Sequence, residues 1–197
     1  AFAETNVLTD HEAIKWQVRF IRCFVSRMAC HPAILAWDLG NECNCMGTVE
    51  NSGDAWNWTN SIAAAIRRED TVHPVVSGMH GLKVEPSAPW RIADQAELTD
   101  VLTTHPYPLF TPHCNRERLN SIRGILHSTA ESCLYSDIGG RPCLVEELGS
   151  FGPPFAGDKI AAEYLKAVLF SCWAHDLRGV LWWCGFDQDH LAHPPYD

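Results

Sequence analysis

The sequence predicts an α/β fold in which helices alternate with parallel strands as part of a (β/α)8 barrel, the TIM barrel. Five segments with apolar residues at helical spacing alternate with five short, continuously apolar runs. Such runs are typical of parallel strands that are buried on both faces. Polar residues also collect at the carboxyl end of these runs, which is the catalytic face of a barrel. We therefore predict about five βα units.

The first helix and strand set the pattern. The helix is predicted over residues 9–28, with Thr9 and Glu12 as a capping box at its start and Pro32 beyond its end. The apolar run that follows, within residues 33–42, predicts a strand that ends at an Asn-Glu pair.

The later elements repeat this alternation. No glycine-rich dinucleotide or phosphate-binding motif follows any of the predicted strands, which argues against a nucleotide-binding sheet. Helices are predicted over residues 54–70, 91–98, 116–135 and 158–176, and strands over residues 73–79, 100–108, 141–149 and 178–188.

Composition limits the class of protein. The chain has 197 residues, 46% of them apolar and 20% charged, which is typical of one globular domain. A formal charge of −9 argues against nucleic-acid and anionic-membrane partners. The longest apolar runs are too short to predict a membrane span. Nine scattered cysteines predict a reducing, cytoplasmic location rather than secretion. Because the sequence does not begin with methionine, we expect the true N-terminus to lie upstream of Ala1.

Four short motifs lie at predicted strand ends: Asn41-Glu42, His105-Pro106-Tyr107, Glu147-Leu148-Gly149 and Trp183. Together they resemble the retaining glycoside hydrolases of clan A, and most closely family 5, which holds cellulases and β-mannanases. The resemblance implies that the whole chain, residues 1–197, is a partial catalytic barrel. By the same resemblance, the chain supplies strands four to eight, and the first strands come from a longer parent chain or from another chain.

The resemblance assigns the two catalytic acids. Glu42 corresponds to the general acid/base and Glu147 to the nucleophile. Retaining cleavage of a glycosidic bond needs two carboxyl groups about 5–5.5 Å apart, one protonated and one ionised. The expected activity is hydrolysis of a β-linked glucan, mannan or related saccharide by double displacement, without a cofactor and without a metal.

Four further residues are implied to bind the substrate or support the nucleophile. Asn41 corresponds to the residue that binds the sugar 2-hydroxyl, and Trp183 to the aromatic floor under the sugar ring. Tyr107 is expected to donate a hydrogen bond to Glu147, and His105 to lie beside the substrate.

The neighbouring acid Glu146 needs a separate explanation. Side chains alternate along a regular strand, so only one of Glu146 and Glu147 is expected to face the site. We predict that Glu146 points away from the site and bonds to an Arg or His. His80 is predicted to be a structural histidine, and Trp182 to pack against helices.

Two alternatives stay open from the sequence. One is a catalytically inert barrel fragment or glycan-binding module. The other is a metal-dependent hydrolase barrel with His80, His105 and Asp187 as ligands. We also expect residues 1–197 alone to lack glycosidase activity and to associate through open, apolar strand edges.

Overall fold

A computed structural model describes residues 5–151 and 155–185. Five helices alternate with five strands, and the observed strand pairs are parallel, as predicted. None of the helices in these two ranges is long and apolar enough to cross a membrane. The helices are α1 (His11–Met28), α2 (Ser52–Glu69), α3 (Ile92–Leu98), α4 (Ile122–Gly139) and α5 (Asp158–Ala174), and the strands are β1 (Trp37–Asp38), β2 (Val75–Val76), β3 (Leu102–Thr104), β4 (Cys143–Leu148) and β5 (Val180–Trp182).

The starts of α1 and α4 differ from the prediction for identifiable reasons. The N-cap of α1 is Asp10, whose carboxylate accepts a hydrogen bond from Ala13 N at 2.8 Å, so the predicted Thr9 capping box is wrong. A carboxylate at the N-cap also interacts favourably with the helix dipole. Helix α4 begins at Ile122 instead of residue 116, because a 3-10 turn, Cys114–Arg116, occupies the start of the predicted segment.

Residue contacts divide the chain into two compact units. The first comprises Ala1–Thr103 with Tyr135–Pro142, and the second comprises Thr104–Leu134 with Cys143–Asp197. In the first unit β1 pairs with β2, in the register Trp37↔Val75. Helices α1 and α2 pack together. The core of this unit includes the buried side chains Trp58, Ile62, Val75, Met79, Ile92 and Leu102.

The turn between α2 and β2 is organised by a buried acid. Asp70 accepts hydrogen bonds from Trp37 Nε1 at 3.0 Å and from the backbone N–H groups of Val72 and His73. Its Oδ2 also lies 2.7 Å from His73 Nδ1. Burial alone would raise the pKa of Asp70, but these hydrogen bonds outweigh it and hold the pKa well below its usual range. The acid therefore ties β1 to the turn before β2.

The loops that follow β1 and β2 approach each other closely at Gly78. This residue has φ +59°, and a Cβ there would collide with the carbonyl oxygen of Gly40 and the carboxylate of Asp38. Only glycine both adopts this positive φ without strain and leaves room for the Gly40 carbonyl and the Asp38 carboxylate. Cys43 N then donates to Gly78 O at 3.2 Å, which joins the two loops. Gly78 therefore brings the Asn-Glu pair beside the end of β2.

In the second unit β4 pairs with β5, and the register shifts within the pair. Val145 pairs with Val180 and Leu148 with Trp182, so three steps along β4 match two along β5. An extra residue of this kind is a β-bulge, which breaks the alternation of side chains. The regular alternation predicted for Glu146 and Glu147 does not hold here.

Candidate active site

The first unit contributes Glu42, directly after β1. Its backbone lies in the left-handed region, with φ 49° and ψ 47°, and it precedes a 3-10 turn, Cys43–Cys45. A positive φ is uncommon for a residue other than glycine and is found most often at functional sites. The side chain is about one-third exposed, and the exposed Asn41 precedes it.

His80 lies beside this acid. Its Nδ1 is 3.2 Å from Oε1 of Glu42, and both side chains are partly exposed. His80 N donates to Asn44 Oδ1 at 2.8 Å, and Asn44 Nδ2 donates to the His80 carbonyl. His80 therefore contacts the predicted acid/base. The sequence predicted only a structural role for His80 and did not predict this contact.

The second unit contributes Glu147, and each of its carboxylate oxygens has a partner. The hydroxyl of Tyr107 donates to Oε1 at 2.7 Å, which confirms the hydrogen bond expected from the sequence. Oε2 lies 3.1 Å from Nδ1 of His105, whose side chain is only 1% exposed. These two contacts hold the carboxylate group of Glu147 in one orientation.

Glu146 contacts the same imidazole from its other side. Its Oε2 lies 3.4 Å from Nε2 of His105, which confirms the expectation that this acid bonds to an Arg or His. Both nitrogens of His105 thus face carboxylates. A neutral ring can donate to only one of them, whereas a protonated ring can donate to both. The bulge in β4 makes this possible, because it lets two successive side chains reach one ring.

Trp183 follows β5 and is positioned by backbone contacts. Its N–H donates to the Leu148 carbonyl at 2.7 Å, and a Cβ on Gly149 would collide with the Trp183 carbonyl oxygen. Gly149 therefore allows the chain after β4 to pass close to Trp183, whose side chain is half-buried. Trp182 contacts the ring of Tyr164 on α5, as predicted.

An aromatic cavity of about 110 Å³ adjoins Tyr107 in the second unit. The ring of Phe151 lies 5.2 Å from that of Tyr107 and 5.3 Å from that of Phe110, measured between centroids. Polar groups of Asn115, Glu117 and Ser150 also line the cavity. Aromatic faces with a few polar groups are suited to an amphipathic ligand such as a sugar ring.

The alternative of a metal site needs three ligands. Within the described ranges, neither unit by itself brings three candidate ligand atoms together. Asp187, one of the ligands considered from the sequence, lies outside the described residues. The two predicted catalytic acids belong to different units, Glu42 to the first and Glu147 to the second. Their separation of about 5–5.5 Å stays a prediction.

The sequence analysis missed the contact of His80 with Glu42 and the role of Asn44. The position of His80 after the second predicted strand was a usable signal, because polar residues at strand ends share one face of a barrel. Nothing in the sequence indicated that Asn44 would bond to a residue 36 positions away.

No protein-family profile matches the chain, but individual relatives do. Mannan endo-1,4-beta-mannosidase F of Aspergillus fumigatus is 30% identical over 139 residues, 66% of this chain and 31% of the relative. Mannan endo-1,4-beta-mannosidase A of Podospora anserina is 30% identical over 158 residues, 72% of this chain and 38% of the relative. The chain thus spans about a third of the length of these relatives.

Solved structures share the fold. A variant of GH5_18 from Streptomyces cattleya, in complex with Manb1-4GlcNAc, superposes with a TM-score of 0.86 at 20% identity, over 100% of this chain and 51% of that one. The barrel topology predicted from the sequence is confirmed by this likeness. The mannosidase relatives and the motifs at the strand ends support a family 5-like glycosidase chain.

Proposed function

We propose that the protein carrying this chain is a retaining β-glycoside hydrolase that cleaves β-1,4-linked mannan. The single observation that carries the proposal is the carboxylate of Glu147, held at one oxygen by Tyr107 and at the other by His105. A carboxylate fixed in this way, with one partner at each oxygen, is what a glycosidase nucleophile requires. The chain spans only part of its relatives, so the activity is that of the whole protein.

The proposed reaction has two displacements. In the first, Glu147 attacks the anomeric carbon while Glu42 gives its proton to the leaving oxygen, and a glycosyl ester forms on Glu147. In the second, Glu42 removes a proton from water, which attacks the anomeric carbon and releases Glu147. Two glutamates therefore suffice, and no cofactor takes part.

Three residues around the acids complete the proposed site. Tyr107 holds Glu147 as the ester forms and breaks. Asn41, next to Glu42, is assigned to the sugar 2-hydroxyl, and Trp183 is assigned to the apolar face of the sugar ring. These two assignments rest on the resemblance and on the position of each residue at a strand end.

The substrate is proposed from the relatives. Both of the Aspergillus and Podospora proteins are named mannan endo-1,4-beta-mannosidases, and the Streptomyces structure holds a disaccharide with a β-linked mannose. A β-1,4-mannan is therefore favoured over a glucan. The proposed partner is a saccharide chain, bound by a barrel whose remaining strands come from the longer protein or from another chain.

We also propose that the protein works in a reducing compartment such as the cytoplasm. All nine cysteines lie in the described ranges, and the structure has no disulfide bond among them. Oxidising compartments favour disulfide formation.

The test is turnover of β-1,4-mannan and cello-oligosaccharides by the full-length protein and its variants. Glu147→Ala should lose about four decades of activity on every β-glycoside. Glu42→Ala should spare aryl β-mannosides with good leaving groups, which need no proton in the first step. The exposed Glu85→Ala is the matched control and should behave as wild type.

Activity of Glu147→Ala above about a hundredth of wild type contradicts the nucleophile assignment. A wild-type protein that binds mannan without cleaving it indicates a glycan-binding module instead.

A further inference from the structure

We infer that His80 is a positioning residue for the general acid/base Glu42, against which its imidazole ring lies. The inference rests on the proposed function and adds a residue to it. The motifs at the strand ends did not predict this role. The contact itself is short, 3.2 Å from Nδ1 to Oε1, and it joins residues 38 positions apart in sequence.

The exposure of the pair favours a role at the site. The side chains of His80 and Glu42 are 33% and 31% exposed, so both reach solvent. Exposed ion pairs contribute little to stability, and a histidine that serves only the fold is more often buried. A partly exposed histidine held against a partly exposed acid is instead suited to chemistry on a bound ligand.

The backbone of His80 is fixed relative to that of Glu42. His80 N donates to Asn44 Oδ1, and Asn44 Nδ2 donates to the His80 carbonyl. Asn44 lies in the 3-10 turn that starts directly after Glu42. One amide side chain therefore clamps the histidine to the same turn that carries the acid, and Cys43 N adds a third bond, to Gly78 O.

The left-handed backbone of Glu42 points to the same conclusion. A glutamate is rarely found at φ 49°, and such a conformation persists only where the surroundings fix it. The three hydrogen bonds between the Glu42 turn and the loop after β2 supply that constraint. The turn thus fixes the direction of the Glu42 carboxyl group, at a cost in stability.

The chemistry explains why one carboxyl oxygen needs a partner. In the tautomer with hydrogen on Nδ1, a small rotation of the neutral imidazole lets it donate to Oε1 whether Glu42 is protonated or ionised. Oε2 is then the oxygen that gives its proton to the leaving group and later takes one from water. With Oε1 held, rotation of the carboxyl group is restricted in both displacements.

The experiment compares two substrates in the full-length protein. His80→Leu removes the donor, whereas His80→Asn places an amide N–H near the position of Nδ1. On a mannooligosaccharide, whose leaving group needs a proton, His80→Leu should lower kcat/KM about 10- to 100-fold. On 2,4-dinitrophenyl β-mannoside, which needs none in the first step, kcat/KM should change less than about threefold. His80→Asn should recover most of the loss on the oligosaccharide.

Controls separate positioning from folding. His11→Leu, at an exposed position on α1, should leave both substrates unaffected. Asn44→Ala, which removes the clamp, should reproduce the loss on the oligosaccharide alone, to a smaller extent. Equal losses of kcat/KM on both substrates, or an unchanged His80→Leu protein, would overturn the inference. A wild-type protein inactive on both substrates would instead overturn the proposed function, and melting curves of each variant identify those that fail to fold.

Discussion

Each oxygen of the Glu147 carboxylate has its own partner, and one of these, His105, is shared with a second acid. Tyr107 donates to Oε1, while the buried His105 lies between Glu147 and Glu146. In the proposed reaction, the ring therefore links the attacking acid, Glu147, with a second acid that does not attack. We expect Glu146 to act on that reaction only through His105, as a positioning residue.

We expect Glu146→Gln to be far less damaging than a change at either catalytic acid. The glutamine keeps an oxygen near Nε2 of His105 but lacks the negative charge that Glu146 places beside the ring. Because Tyr107 still donates to Glu147, kcat/KM should fall by about tenfold or less. Steady-state kinetics on a mannooligosaccharide measure this, with Glu146→Leu as the variant that removes the Glu146 carboxylate from Nε2. A loss as large as that of Glu147→Ala would show that Glu146 itself is the nucleophile.

Motifs in the sequence predict part of this site. The hydrogen bond from Tyr107 to Glu147 was expected from the family resemblance of these motifs, and the structure confirms it. The contacts of Asn44 and His80 were not predictable, because they depend on the close approach of two loops at Gly78. The meeting of Glu146 and Glu147 at one ring was also unpredictable, since it needs a bulge that no residue in β4 signals.

The turn between α2 and β2 depends on one ionised side chain. Asp70 accepts hydrogen bonds from Trp37, Val72 and His73, and these hold its pKa well below the usual range although burial opposes them. In the unfolded chain the pKa returns to about 4. The stabilisation is therefore fully present above about pH 4 and is lost as the pH falls through and below that value.

The matching prediction concerns unfolding of wild type and Asp70→Asn. At pH 7 the variant should be less stable by about 1–3 kcal/mol, because an amide is a weaker acceptor and leaves buried donors unsatisfied. The difference between the two proteins should shrink as the pH is lowered below about 4, because Asp70 of the unfolded wild-type chain then takes up a proton and unfolding becomes more favourable. Urea unfolding at several pH values measures both effects. A difference that stays constant down to pH 2 would show that the charge of Asp70 is not involved.

The order of the ten elements was predictable from periodicity, whereas their lengths were not. Strand β1 pairs over two residues although the apolar run covers residues 33–42. The apolar run therefore predicts neither pairing nor burial over its whole length, since Leu35, before the paired stretch, is 87% exposed. The late start of α4 has a local cause, since Ser121 accepts from Gly124 N and so begins the helix after a turn.

At the level of the molecule, an apolar groove in the first unit affects how the protein associates with other chains. A cavity of about 320 Å³ is lined by residues of α1, β1 and α2, and Phe20 and Phe24 on α1 are 69% and 50% exposed. The two rings stack, and Phe24 also packs on Trp37. Exposed apolar rings beside a strand favour association with another chain.

We therefore expect a protein of residues 1–197 to self-associate. Light scattering coupled to size exclusion should give a mass above that of one chain, rising with concentration. Phe20→Lys should shift the protein toward the monomer, because it places a charge at the groove. Arg19→Glu, an exposed change next to Phe20 that leaves the groove intact, is the control. A sharply melting monomer of residues 1–197 contradicts this expectation.

The turn after Glu42 also carries a thiol that can report on the acid. Partial burial of the thiol raises the pKa of Cys45, and the negative charge of Glu42 raises it further. Only the thiolate reacts with iodoacetamide. Removing the charge with Glu42→Gln should therefore speed alkylation of Cys45 severalfold at a fixed pH, while Cys23 and Cys30 on the same chain keep their rates. Mass spectrometry of the labelled peptides would then follow the ionisation of Glu42 in a protein at rest, without any sugar being cleaved.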